Sequence, residues 1–150
     1  MKLIVDVADV IVSNRPEDLL ITYALGSCLG VTAYDPESRI GGLLHCQLPA
    51  APRDAPNANP AQFVDTGVIA MLDTMLDLGA EISRLVIAVA GGAEVMDNLK
   101  SFKIAQRNHA VLRKILWKNR LLIAAEGIGG EKPRTMSLSL EDGAVRLQSG

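Results

Sequence analysis

The tightest constraint in this chain is a pair of apolar runs set on either side of Asp35-Pro36-Glu37-Ser38. Leu29 to Tyr34 is short and rich in strand formers, and Ile40 to Leu48 is its counterpart. Asp-Pro followed by polar residues is turn chemistry, so the two runs read as the arms of a β-hairpin. Whatever the chain folds into must contain this antiparallel pair. Gly41 and Gly42, inside the returning arm, predict a bulge or a close backbone approach.

The flanking segments decide the fold class. Asp9–Ser13 and Leu19–Tyr23 are earlier strand-like runs, parted by Arg15-Pro16-Glu17-Asp18. Four prolines between Pro49 and Pro60 mark a surface loop. Asn59-Pro60 then supplies a cap and a first helical residue. Val64, Val68, Met71, Leu72 and Met75 form one apolar stripe of a helix reaching Leu78, and Gly79 fits its C-terminal cap. A buried strand over Leu85–Ala90 follows, ended by Gly91-Gly92. Next come a short helical piece over Val95–Phe102, a long helix over Ile104–Lys118 and a strand over Leu121–Ala125. Gly127 and Gly129-Gly130 read as a turn. Met136–Leu140 and Ala144–Leu147 alternate apolar and polar residues and predict a terminal hairpin. The order is not a regular βαβ alternation. It predicts an α+β domain spanning 1–150, a mixed sheet or sandwich flanked by helices.

Composition narrows the function classes. Aromatic residues are only 3% of the chain and the net charge is -2, which argues against a nucleic-acid binder. No apolar run is long enough to span a bilayer. Met1-Lys2-Leu3-Ile4-Val5-Asp6 lacks the apolar stretch and cleavage site of a signal peptide. The expectation is a cytoplasmic protein without membrane insertion, whose two cysteines, Cys28 and Cys46, stay reduced.

The candidate chemistry centres on Cys28, in Leu25-Gly26-Ser27-Cys28-Leu29-Gly30. Flanking glycines leave the sulfur open to close approach. Backbone N–H groups around Gly26 and Ser27 are candidates for an oxyanion hole. The competing reading is a packed structural thiol. His45 stands seventeen positions later, at the open end of the predicted hairpin. An imidazole beside a thiol favours the thiolate, so a lowered Cys28 pKa is expected. The competing reading is a histidine held by a backbone carbonyl. Thr22, just before the glycine turn, has a hydroxyl suited to orienting that imidazole, and is equally a good strand former. Cys28, His45, Cys46 and His109 have the wrong spacing for a zinc knuckle, and adjacent His45 and Cys46 point to opposite faces of a strand. Cys46 reads as a packed thiol. Gly91-Gly92-Ala93 lacks the residues of a phosphate loop and reads as a tight turn. Arg107-Asn108-His109 is either surface polarity or the lining of a cleft.

Taken together, Thr22-Tyr23-Ala24-Leu25-Gly26-Ser27-Cys28, Tyr34-Asp35-Pro36, Gly41-Gly42-Leu43-Leu44-His45 and Leu48-Pro49 resemble the CheD family, the chemoreceptor glutamine deamidases of bacterial chemotaxis. The resemblance continues through Phe63-Val64-Asp65, Gly91-Gly92-Ala93, Arg107-Asn108, Gly129-Gly130 and Arg134. The chain departs from the family at Ala105, Gln106 and Gly127. The resemblance implies a fold related to toxin deamidases and a cysteine amidohydrolase, a protein-glutamine glutaminase that needs no cofactor or metal. It puts the catalytic roles on Cys28, His45 and Thr22. It implies methyl-accepting chemotaxis receptors as substrates and a CheC-like phosphatase as regulatory partner. The alternative is a docking module that binds receptors or such a phosphatase without catalysis.

Overall fold

The computed structural model describes residues 1–55, 57–92, 99–128 and 134–149. The central hairpin forms as its turn chemistry dictates. Strand β4 (Leu29–Asp35) pairs antiparallel with β5 (Ile40–Cys46), and the register runs without a shift from Asp35↔Ile40 to Leu29↔Cys46. Asp35 closes the turn by accepting from the N–H of Glu37 at 3.0 Å. Its carboxylate also accepts from Arg84 and from the N–H of Glu81, tying the turn to the segment after the first helix.

Around this pair, the described residues build two sheets. The five-stranded sheet runs β2-β5-β4-β6-β7, with β2 at Asp9–Ser13, β6 at Val86–Gly91 and β7 at Ile123–Ile128. The four-stranded sheet runs β1-β3-β8-β9, with β1 at Lys2–Ile4, β3 at Leu19–Leu25, β8 at Arg134–Ser139 and β9 at Val145–Ser149. The sheets stack over a core that includes Val5, Leu20, Leu25, Leu43, Met136 and Leu138. Helices α1 (Val64–Leu78) and α2 (described from Leu99 to Lys118) cover the other face of the five-stranded sheet. Val31, Leu44, Val68, Met71, Leu112 and Leu116 pack there. The middle strands are thus buried on both faces, which is why β4 and β5 read as continuous apolar runs. The architecture is the expected α+β one, a β-sandwich flanked by helices. Among the described residues no helix is long and apolar enough to cross a membrane.

Gly41 shows why the returning arm carries glycine. A Cβ there would lie 2.3 Å from Leu140 Cδ2 and 3.0 Å from Leu138 Cδ2, so the space it would take is already filled by leucine side chains of the inter-sheet core. The close neighbours of Gly41 and Gly42 are side chains rather than the expected backbone, and there is no bulge within the β4–β5 pair.

Several boundaries differ from expectation. Asn59 caps a short 3-10 turn, Pro60–Gln62, and α1 begins only at Val64. The predicted stripe of α1, Val64, Val68, Met71, Leu72 and Met75, is buried as expected, and Gly79 caps the helix with φ +116°. The two predicted pieces around Phe102 and Ile104 are continuous from Leu99, because no glycine or proline interrupts them; 95–98 lie outside the described residues. Gly127 belongs to β7 rather than to a turn, because parallel pairing with β6 carries the strand on to Ile128. The Gly129-Gly130 turn lies outside the described residues. The terminal hairpin forms, and β1, which the sequence reading missed, runs parallel to β3.

Candidate functional site

The candidate residues lie where the chain passes from one sheet to the other. β3 belongs to the four-stranded sheet and β4 to the five-stranded one, so Gly26-Ser27-Cys28 bridges the layers. A register shift between Thr22 and Leu25, with Ala24 at φ +58°, turns the chain toward that crossing. A non-glycine residue in this left-handed region carries strain of about 1–3 kcal/mol, which the surrounding packing must offset.

Cys28 is half-buried and packs against the inter-sheet core. Its backbone is fixed from the far side. The carbonyl accepts from the N–H of Gly92 at 2.9 Å, and Gly91 has φ +105°. A Cβ on Gly91 would stand 2.1 Å from that same carbonyl oxygen, so no other residue fits beside it. The Gly91-Gly92 turn, unremarkable in sequence, is the seat of the candidate nucleophile. Among the described residues, the N–H groups of Gly26, Ser27 and Cys28 donate to no backbone acceptor, which leaves donors for an incoming oxyanion.

His45 lies on β5 opposite Gly30 of β4. Cys28 lies in the bend two residues before Gly30 and packs against the inter-sheet core that the His45 ring faces, but the thiol makes no hydrogen bond to the imidazole. The ring points between the sheets and meets Thr22 of β3: Thr22 Oγ1 lies 2.8 Å from His45 Nδ1 and 2.6 Å from the carbonyl oxygen of Val5. Both side chains are essentially inaccessible to solvent.

These distances fix the tautomer. A hydroxyl has one proton, and a backbone carbonyl can only accept. Thr22 must therefore donate to Val5, and His45 must donate Nδ1–H to Thr22. Neutral imidazole then carries a lone pair on Nε2. That nitrogen is buried and has no hydrogen-bond partner among the described residues. A buried acceptor without a partner is costly and points to a role.

Burial also sets the charge states, and against expectation. It pushes the Cys28 thiol up from its ordinary range, where a lowered pKa was expected. It pulls the His45 imidazolium down, with the nearby Asp6 charge partly opposing. The resting pair at neutral pH is thiol and neutral imidazole. Desolvation penalises both charges, and neither group shifts the other as was expected from sequence. The Cys46 thiol, fully buried on the helix side, is pushed up to about 12. Its sulfur lies 3.7 Å from the Leu29 carbonyl.

The residues considered as metal ligands do not converge. His45 faces the inter-sheet layer, Cys46 the helix layer, and His109 Nε2 sits 2.6 Å from Glu126 Oε1. Among the described residues, no three His, Cys, Asp or Glu side chains are gathered as a metal site.

Sequence reading left Asn108 undecided. It is fully buried in α2, and its Nδ2 donates to the carbonyls of Gln47 at 2.9 Å and Ser27 at 3.3 Å. It thereby clamps the end of β5 to the turn before Cys28. Its Oδ1 is buried without a partner among the described residues. The available signal was a polar residue within the apolar stripe of a helix, between Ile104 and Leu112. The neighbouring Arg107 is exposed.

Comparison with known proteins identifies the relatives of this chain. A model of the CheD family, described as CheD chemotactic sensory transduction, matches residues 47–149. A Solibacter usitatus protein named "Probable chemoreceptor glutamine deamidase CheD" is 44% identical over 149 residues, 98% of this chain and 88% of that protein. A Pyrococcus abyssi protein of the same name is 42% identical, over 90% of this chain and 84% of its own length. A similarly named Syntrophus aciditrophicus protein is 41% identical, over 97% and 92%. The crystal structure of Bacillus licheniformis hypothetical protein YfiH superposes with a TM-score of 0.52 and 14% identity. It covers 79% of this chain and 49% of that one, a likeness of fold alone. With relatives this similar along nearly its whole length, the chain belongs to the CheD family.

Proposed function

We propose that this protein is a protein-glutamine deamidase that converts chemoreceptor glutamine side chains to glutamate, with Cys28 as nucleophile, His45 as base and Thr22 orienting the base. The observation that carries this reading is the Thr22 hydroxyl. By donating to Val5 it holds the proton of His45 on Nδ1 and leaves Nε2 basic, in the layer that contains Cys28. The names borne by the family relatives supply the substrate class.

The steps follow from the resting charge states. As Cys28 Sγ attacks the carboxamide carbon, its proton passes to His45 Nε2. The N–H groups of Gly26, Ser27 and Cys28, which donate to no backbone acceptor among the described residues, hold the negative oxygen of the tetrahedral intermediate. The imidazolium returns its proton to the departing nitrogen, which leaves as ammonia and gives a thioester. Water, deprotonated by the same Nε2, attacks the thioester, and the sulfur leaves and regains a proton. Glutamine and water become glutamate and ammonia, and a neutral side chain on the receptor becomes an anion.

The resemblance also supports a CheC-like phosphatase as a regulatory partner; co-elution of the two purified proteins tests it. The reaction is tested by incubating a chemoreceptor cytoplasmic fragment with the protein and mapping peptides by mass spectrometry. Glutamine-to-glutamate mass gains are expected with the native chain and absent with Cys28→Ala. Gains of equal extent with Cys28→Ala rule the mechanism out.

A further inference from the structure

Helix α2 has a charge pattern unlike the rest of the molecule. Leu99–Lys118 carries six of the fifteen lysines and arginines and none of the seventeen acidic residues. Outside it, nine cations face seventeen anions. At 100° per residue, Lys103, Arg107, Lys114 and Lys118 fall within one stripe about 60° wide and about 22 Å long. All four are exposed, opposite the buried face of Ala105, Asn108, Leu112 and Leu116. Among the described residues none of the four makes an ion pair.

This arrangement opposes helix stability. Lys103/Arg107 and Lys114/Lys118 are like-charge pairs one turn apart, which repel. Among the described residues, the first turn from Leu99 carries no acid. Within the stripe, Arg107 directly precedes Asn108, whose side chain on the buried face of the helix holds the Ser27 carbonyl next to Cys28. Trp117, the only tryptophan, flanks its far end with 78% of its surface exposed.

We propose that this stripe docks an acidic helix of the protein substrate, so that negative charge along that helix aligns its glutamine with Cys28. The proposal rests on the deamidase reading and names what that enzyme recognises. Charge complementarity sets the chemistry, and an exposed Trp beside cations is the composition of a protein-binding surface. A long nucleic acid would run past the stripe onto a surface with nearly twice as many anions as cations.

Trp117 fluorescence reads docking directly. The intact protein is titrated with a synthetic helical peptide bearing glutamates at every third or fourth position. A lysine-substituted peptide and a DNA duplex of equal length serve as the other arms. A saturable change is expected with the glutamate peptide alone. It should weaken with added salt and weaken about tenfold in Lys114→Glu/Lys118→Glu. On a chemoreceptor cytoplasmic fragment the same variant should raise KM about tenfold with kcat held, as lost uniform binding requires. Melting curves verify the fold, and Lys114→Gln/Lys118→Gln serves if the glutamate variant does not fold. Unchanged Kd and KM, equal binding of the lysine peptide, or tighter binding of the duplex overturns the proposal. Docking without ammonia release sinks the deamidase reading instead, and release with unchanged KM sinks only the stripe.

Discussion

Thr22 and His45 come from different sheets, and their 2.8 Å contact is what gives the imidazole a defined tautomer. The threonine proton is already committed to Val5 at 2.6 Å, so the ring has to be the donor. Thr22→Ser keeps this geometry and should retain most of the deamidation rate. Thr22→Val keeps the shape but leaves a buried Nδ1–H unpaired, and kcat should fall about tenfold or more. Ammonia release measures kcat, and nitrogen NMR of His45 should show Nδ1–H in the native chain and a mixed tautomer in the valine variant. Equal rates for serine and valine would reduce Thr22 to a strand residue.

Cys28→Ala and His45→Ala should each abolish ammonia release from a receptor fragment while the fold survives. Groups that act as a unit do not add, so the double variant should be no slower than either single one. Circular dichroism verifies folding. Clear turnover by Cys28→Ala would exclude a covalent path.

The raised Cys28 thiol and lowered His45 imidazolium set opposite limbs of the pH response. Iodoacetamide labelling of Cys28 should inflect above the range of an ordinary free thiol, because the thiol stays protonated longer. The acid limb of kcat/KM should lie below the ordinary histidine pKa of about 6.5, because His45 resists protonation. Cys46 should label only on unfolding. A Cys28 inflection below neutral pH would mean a resting thiolate–imidazolium pair and overturn the neutral one.

Asn108 is a positioning residue, since it acts through the carbonyls of Ser27 and Gln47. Asn108→Ala removes two part-buried hydrogen bonds and should cost about 2 kcal/mol of stability. It should also lower kcat more than it raises KM, because the turn before Cys28 loosens. A pure stability loss, with kcat intact in the folded fraction, would make Asn108 a structural clamp alone.

Asp35 is buried at the hairpin turn, and the Arg84 guanidinium holds its carboxyl well below the usual range. The unfolded carboxyl titrates near 4, so the stabilisation is full above that pH and is lost as pH falls from there toward the lower folded value. Asp35→Asn should destabilise the protein by about 3 kcal/mol at neutral pH, since it leaves Arg84 without its main partner. The difference between native and variant should shrink below pH 4. Urea unfolding at several pH values measures both, and a gap that does not change with pH would put the effect on packing rather than charge.

The sequence by itself determined the local frame. Turn chemistry at Asp35-Pro36 and the apolar runs around it set a hairpin whose register puts His45 opposite Gly30, two residues past Cys28 in the chain. The 3.6-residue stripe of α1 was equally legible, because periodicity and caps are properties of neighbouring residues. The tertiary structure decided how the sheets stack, and with it the meeting of Thr22 and His45. It also placed β1, too short to announce itself, so that Val5 takes the threonine proton. The glycine turn under Cys28 and the polar clamp of Asn108 join segments more than sixty residues apart. The direction of the Cys28 shift was misjudged for the same reason. Spacing brings an imidazole toward a thiol, but only the stacked layers exclude the water that would have stabilised their charges.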